Sequence, residues 1–235
     1  MQFLPPMSSP QIVIRDTYGS AAQNGVKCAV YGGAGVGKTV LTASMPQPFL
    51  ISAEGGTLSL NQTHVPYVEV KDMAGLMGVY QWAVSSHEAR QFWSLGMDSA
   101  SEVAEVVLAN ELKNNKDPRK AYGELATQMM ALLRAFRDIP QKHVLFTAKQ
   151  GRLTDQQTGA ILWGPMMPGQ QLDQQFPYMF DEVFHMGMYR TTEGQTYRAL
   201  RTQPDNQYQA KDRSGRLDMY EQANLTTVFN KIMGL

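Results

Sequence analysis

Apolar positions along the chain switch between the two-residue period of strands and the longer period of helices, and the switches are regular. Val26-Lys27-Cys28-Ala29-Val30-Tyr31 reads as a short buried strand. Beyond a glycine-rich stretch, Val40, Leu41 and Met45 carry the apolar face of a helix that Pro46 ends. Phe49-Leu50-Ile51-Ser52 is a second strand, and the alternating Tyr67-Val68-Glu69-Val70 is a third, placed near a sheet edge. Asp72 caps a helix with Met73, Leu76, Met77, Tyr80 and Val84 at helical spacing. Phe92 to Met97 is the next strand, stopping at Asp98, and Val103, Val106 and Val107 begin another helix. A polar, basic break from Lys113 to Lys120 precedes the strongest helical pattern, Leu125, Met129, Leu132, Leu133 and Phe136, which runs to Pro140.

His143 to Ala148 is a strand ending at Lys149-Gln150. A Gly/Gln-rich segment of roughly twenty residues follows, with a short helix around Leu172 to Phe176. A loop that long inside a compact domain is usually functional or disordered. Glu182 to Tyr189 and Thr196 to Thr202 form two strands around the turn Thr192-Glu193-Gly194-Gln195, and Asn224 caps a last helix carrying Leu225, Val228, Phe229 and Ile232. Residues 1–20, rich in Pro, Ser and Gly, read as an N-terminal arm around one extended piece, and 21–235 as the core. The expected architecture is α/β: a largely parallel twisted sheet flanked by helices, closed by a C-terminal antiparallel hairpin. Ligand chemistry on such a sheet belongs at the carboxyl ends of the parallel strands. Those ends are Gly32–Thr39, Glu54, Asp98 and Lys149-Gln150.

Composition narrows the partners. Lys and Arg (21) balance Asp and Glu (21), so a nucleic-acid site has to be a local patch rather than a global field. Cys28 is the single cysteine, which excludes an intrachain disulfide and fits a reducing cytoplasm. The first residues lack a signal-peptide pattern, and no apolar run approaches the roughly 20 residues of a membrane span. His64, His87, His143 and His185 are scattered without metal-ligand spacing, and His185, inside a strand, reads as structural.

The chemistry begins at Gly32-Gly33-Ala34-Gly35-Val36-Gly37-Lys38-Thr39, which fits G-x-x-x-x-G-K-[ST] at every fixed position and is followed by Val40 on the helix. Glycines there let backbone N–H groups turn toward phosphates, and the helix presents its positive end. Lys38 is expected to reach the β- and γ-phosphates of ATP, and the Thr39 hydroxyl to hold Mg²⁺. Asp98, ending an apolar strand, is the second acidic part of the metal site, or a cap for the helix after it; the two roles are compatible.

Hydrolysis also needs a group that orients or deprotonates water. In loader-type AAA-plus ATPases a Glu directly follows the metal Asp, and here that position is Ser99. Phe49-Leu50-Ile51-Ser52-Ala53-Glu54-Gly55-Gly56 resembles the second strand of the RecA family, and the resemblance makes Glu54 the catalytic glutamate. Val144 to Gln150 resembles the strand that ends in a γ-phosphate-sensing glutamine, with Gln150 in that place. More narrowly, residues 25–233 resemble the short phage RecA-like ATPases of the Sak type, described as single-strand annealing proteins. That likeness adds Asp98-Ser99, Ala121-Tyr122-Gly123 and Lys211-Asp212-Arg213 to the motifs already given.

The resemblance implies an ATP- and Mg²⁺-dependent ATPase of the host bacterial cytoplasm, with no membrane partner. Its partners would be single-stranded DNA, like subunits in a ring or filament, and a single-strand-binding protein. It implies that Lys211 and Arg213 reach the neighbouring subunit's ATP site; as composition alone, Lys-Asp-Arg-Ser-Gly is an ordinary solvated turn. Phe3 or Ile12 to Ile14 of the arm are candidates for linking subunits. Lys113, Lys116, Arg119 and Lys120 form one candidate DNA contact. Arg152, Trp163, Met166 and Met167, in the long segment, form another, since exposed apolar groups there need a partner and bases stack on them. For Met166 and Met167 the alternative is a plug in the core. Two other functions fit the phosphate loop: a helicase loader or replication accessory ATPase, which Ser99 disfavours, and a small-molecule kinase, which lacks an Arg-rich lid.

Overall fold

The computed structural model describes residues 23–154, 159 and 161–235. The expected N-terminal arm, with Phe3 and Ile12 to Ile14, lies outside the described residues. The strands are β1 (Lys27–Gly32), β2 (Pro48–Ser52), β3 (Tyr67–Glu69), β4 (Ser94–Asp98), β5 (His143–Thr154), β6 (Ile161–Met166), β7 (Glu182–Arg190), β8 (Thr196–Arg201), β9 (Lys211–Asp212) and β10 (Tyr220–Gln222). The helices are α1 (Lys38–Thr42), α2 (Met73–Ser85), α3 (Ala100–Asn114), α4 (Pro118–Arg137), α5 (Gln170–Gln175) and α6 (Leu225–Met233).

The strands form one sheet in the order β10-β8-β7-β1-β5-β4-β2-β3, with β6 beside β5 and β9 beside β7. From β7 to β3 the neighbours on this path run parallel, whereas β8 and β10 are antiparallel. This is the expected arrangement, a largely parallel sheet with antiparallel C-terminal strands and the alternating β3 at the edge. β5 lies between β1 and β4, so the ends of β1, β5, β4 and β2 stand side by side.

Both faces of the sheet are covered, which is why its central strands read as continuous apolar runs. On one face Leu76, Val103, Leu125, Met129, Leu133 and Phe136 of α2, α3 and α4 pack on Ile51, Leu95, Met97, Val144 and Phe146. On the other, Leu41 and Met45 join Leu225, Val228, Phe229 and Ile232 of α6 over Val30, Leu145, Phe184 and Leu200. Asp72 and Asn224 cap their helices as expected, accepting from Gly75 N and Thr227 N.

Several boundaries differ from expectation. β4 starts at Ser94: Phe92 leaves the strand to pack on Phe49 and Trp82 (ring centroids 4.9 and 5.9 Å), and Trp93 is exposed. Val40 does not face the core; it is 43% exposed at the start of α1. The break at 113–120 is a tight corner, with Lys113 in the last turn of α3, and Arg119 and Lys120 in the first turn of α4 after Pro118.

The largest correction concerns the long segment after Gln150. β5 continues through it to Thr154 and pairs antiparallel with β6, with Arg152 opposite Trp163. The hairpin is also tied from its far side, since Trp163 N donates to Gln207 O (2.6 Å) and Gln209 N to Trp163 O (2.8 Å). Paired on both sides, a Gly/Gln-rich stretch meets its backbone hydrogen-bonding requirement without an apolar alternation to announce it. Met167, expected to face DNA, is instead 4% exposed and packs in the core with Leu125 and Leu172. That corrects the DNA assignment for Met167; Met166 stays 40% exposed.

Candidate functional site at the carboxyl ends of the strands

Gly32 to Thr39 turns from β1 into α1, as the motif requires. Gly37 sits in the left-handed region (φ 104°), where a side chain would strain the backbone. Lys38 Nζ donates to Gly32 O (2.8 Å) and Gly33 O (3.0 Å), so the loop's own carbonyls hold the ammonium against the loop. Burial lowers the Lys38 pKa, and the carboxylates of Asp98 and Glu54 oppose that shift.

Asp98, at the end of the buried β4, is 4% exposed and joins two neighbouring elements. Thr39 Oγ1 donates to its Oδ2 at 2.6 Å, and Thr147 Oγ1 of β5 donates to Oδ1. The cap of α3 is Ser99, whose Oγ accepts from Glu102 N (3.2 Å), so Asp98 is left for the site. Ser99 Oγ also donates to Glu54 Oε1. The serine that stands where a loader-type ATPase has its glutamate thus holds the glutamate offered by the adjacent strand.

No group of three or more His, Cys, Asp or Glu able to hold a metal ion stands among the described residues. Mg²⁺ commonly takes one or two carboxylates and fills its shell with phosphates and water. The pair Thr39 and Asp98 fits that pattern. When bound, Mg²⁺ would neutralise charge on the β- and γ-phosphates.

Gln150 lies on β5 and lines a 710 Å³ cavity together with Gly33, Ala34, Gly35 and Val36 of the phosphate loop. Lys149 turns to the opposite face, paired with Glu102 (2.9 Å) and Glu105 (2.8 Å) of α3. One contributor was not anticipated. Arg198 of β8 lies on Gly37, with its guanidinium carbon 3.3 Å from where a Cβ would be. Leu200 packs on the α1 and α6 face of the sheet, and alternation puts Arg198 on that same face, two residues nearer the phosphate loop. The only sequence signal was a basic residue two positions from an apolar one in the closing hairpin.

Lys211 and Arg213 stand at the opposite, amino-terminal edge of the parallel strands, since Lys211 pairs with Val183 near the start of β7. They are not brought to this chain's own phosphate loop. Lys211 Nζ donates to Pro177 O (3.0 Å), and Arg213 pairs with Asp181 (2.7 Å) while its side chain stays 63% exposed. Beside them Glu182 is buried, and with the Asp212 carboxylate close by its pKa is pushed up to about 8.

That shift has a measurable sign. Glu182 keeps its proton in the folded protein where the unfolded chain has released it, so stability falls as pH rises from 4.5 to about 8. His143 and His185, held by burial at about 4 against an ordinary 6.5, act in the other direction, but only up to pH 6.5. Lys27, lowered by burial to about 8, adds stability only above that. Between pH 6.5 and 8 the decline, up to about 1.4 kcal/mol per pH unit, belongs to Glu182. Glu182→Gln is expected to flatten it in urea unfolding at the two pH values.

The basic corner is exposed. Arg119 and Tyr122 of α4 line a 490 Å³ groove with Pro168, Gly169 and Gln170, so the two segments expected to touch DNA meet there. In the hairpin the Arg152 guanidinium stands 5.2 Å over the Trp163 ring, and Trp163 is half-buried against the core.

The sequence model of the AAA domain family matches residues 24–214. No curated protein matches the chain in sequence. Among solved structures, the chain is similar to a KaiC-like protein of the hyperthermophilic archaeon Pyrococcus horikoshii OT3. That match has 13% identity, 75% of this chain and 78% of that chain covered, and a TM-score of 0.40. It is also similar to the flagellar accessory protein FlaH of Methanocaldococcus jannaschii, with 12% identity, 76% and 78% covered, and a TM-score of 0.43. Both are distant. No described helix is long and apolar enough to cross a membrane.

Proposed function

Because the chain belongs to the AAA domain family and is a P-loop ATPase, we propose that its hydrolysis serves single-stranded DNA, in annealing or strand exchange of the Sak type. One observation carries this reading. β5 runs without a break from Thr147, which bonds Asp98, through Gln150 in the phosphate-loop cavity, to Arg152 in the hairpin. Nucleotide state felt at Gln150 then has a rigid route to a segment with a guanidinium stacked on an indole, the kind of surface on which bases stack.

In this reading Lys38, Thr39 and Asp98 bind Mg²⁺ and ATP, and Glu54 takes the proton of the attacking water. Lys113, Lys116, Arg119 and Lys120 track the DNA backbone, with Tyr122, Arg152, Trp163 and Met166 beside the bases. Arg213, the freer of the two cations at the amino-terminal edge, reaches a neighbouring subunit's nucleotide, with Lys211 behind it. Such a cation neutralises charge growing on the γ-phosphate. Assembly of like subunits is therefore part of the function.

The test is ATP turnover with and without single-stranded DNA across protein concentration, joined to DNA affinity across salt. Stimulation that grows with protein concentration is expected. Replacing Lys116, Arg119 and Lys120 by Ala is expected to reduce the slope of log affinity against log salt by about 2, at about 0.7 per lost phosphate contact. Turnover indifferent to DNA together with an unchanged slope would remove the nucleic acid from the function.

A further inference from the structure

We propose that His185 is a positioning residue for the nucleotide site: it takes up the Gln150 side-chain oxygen and so turns the Gln150 NH₂ group toward the phosphate loop. The inference rests on Gln150 serving the nucleotide, and is independent of what the hydrolysis drives.

β1 lies between the two strands concerned, with Tyr31 level with Ala148 on one side and His185 on the other. Just beyond that level, His185 Nε2 is 3.1 Å from Gln150 Oε1, and His185 Nδ1 is 2.5 Å from the Tyr189 hydroxyl. Burial raises the Tyr189 pKa, so the phenol keeps its proton, and no other acceptor for it stands among the described residues. Tyr189 therefore donates to Nδ1. A neutral imidazole then carries its hydrogen on Nε2 and donates to the Gln150 oxygen. The reversed chain, with Nδ1–H donating to Tyr189, leaves the phenolic proton without a protein acceptor among the described residues. Within the protein, one direction satisfies all three groups.

The consequence falls on Gln150. Its carbonyl is occupied, and its two N–H donors are left for the cavity it shares with Gly33 to Val36. An amide donor there attracts phosphate oxygens, whereas the flipped amide would repel them. The imidazole itself is held firmly. It stacks on Tyr208 (centroids 4.1 Å apart, planes at 27°) and leans on Tyr31 (5.2 Å). A Cβ at Gly187 would stand 2.6 Å from its Cε1, so the ring occupies space that any larger residue would take. Around it stand Arg201, Asp205, Tyr31, Tyr189, Tyr208 and Gln150. Burial, and then Arg201, keep it neutral at physiological pH.

The experiment is a double-mutant cycle on ATP turnover, with the fold of each variant followed by thermal melting. His185→Phe, which keeps a stacking ring but no N–H, is expected to lower kcat at least about tenfold and to leave KM for ATP within about threefold. Gln150→Ala is expected to do the same, and the double variant to be no slower than Gln150→Ala alone, as for two residues acting as one unit. Losses that multiply in the double variant, or His185→Phe turnover within about twofold of the parent, would overturn the proposal. If His185→Phe does not fold, Tyr189→Phe replaces it in the same cycle, since it deletes only the donor that sets the tautomer. If the cycle behaves as stated while DNA changes none of the rates, the DNA reading fails and this one stands.

Discussion

Glu54→Gln is expected to reduce ATP turnover by about two to four orders of magnitude and to leave nucleotide affinity nearly unchanged. The reason lies in how the carboxylate is held. Ser99 Oγ donates to Glu54 Oε1, fixing one oxygen and leaving the other without a hydrogen-bond partner among the described residues. Glutamine keeps an oxygen for Ser99 to bond, so the side chain stays in place and only its ability to take a proton is lost. Steady-state hydrolysis and equilibrium binding of a labelled nucleotide separate the two effects. On the proposed DNA function, the variant is also expected to accumulate in a nucleotide-bound, DNA-bound assembly. Normal turnover in Glu54→Gln would show that another group activates the water.

How far the sequence carried the structure depended on the range of the interactions involved. The phosphate loop was legible because its parts are contiguous: strand, glycines, lysine and helix follow one another from Lys27 to Thr42. The helices α4 and α6 were legible because one face of each is apolar at fixed spacing. For α2 the Asp72 cap marked the start, but the buried face is Leu76, Val79 and Ala83, whereas Met77 and Val84, read as part of it, are exposed. β6 was not legible. Its pairing depends on β5 on one side and on Gln207 and Gln209 on the other, and neither leaves a period in Ile161 to Met166. For Met167 the sequence offered DNA or core, and packing against α4 and α5 decided for the core.

The same rule sorts the candidate site. Asp98 and Glu54 were recognisable as acids at strand ends, but Thr147 looked like any threonine in a buried strand. It meets Asp98 because β4 and β5 pair with Met97 level with Phe146, a register that no local pattern encodes. Arg198 and His185 share this history. Each is positioned by strands that follow the phosphate loop by more than a hundred residues, and each acquires meaning only from what lies beside it.

Lys38→Ala is expected to abolish measurable hydrolysis, losing on the order of a hundredfold to a thousandfold in turnover, and to lose nucleotide binding with it. The lysine is held against the loop by the carbonyls of Gly32 and Gly33 and sits in the fields of Asp98 and Glu54. Without it, an incoming triphosphate meets those two carboxylates with no opposing cation from the loop. Melting with and without Mg²⁺ and ATP distinguishes this from the Glu54 effect. At a nucleotide concentration about 100 times Kd, binding stabilises the parent protein by about 2.7 kcal/mol. A hundredfold loss of affinity leaves about 0.4 kcal/mol at the same concentration. Lys38→Ala should therefore melt almost alike with and without nucleotide, whereas Glu54→Gln keeps the full shift. In the absence of nucleotide Lys38→Ala should be no less stable than the parent, because burial already disfavours the charge it removes. A full ligand shift in Lys38→Ala would mean that the loop binds phosphate through its backbone and Arg198 alone, with Lys38 serving only the chemical step.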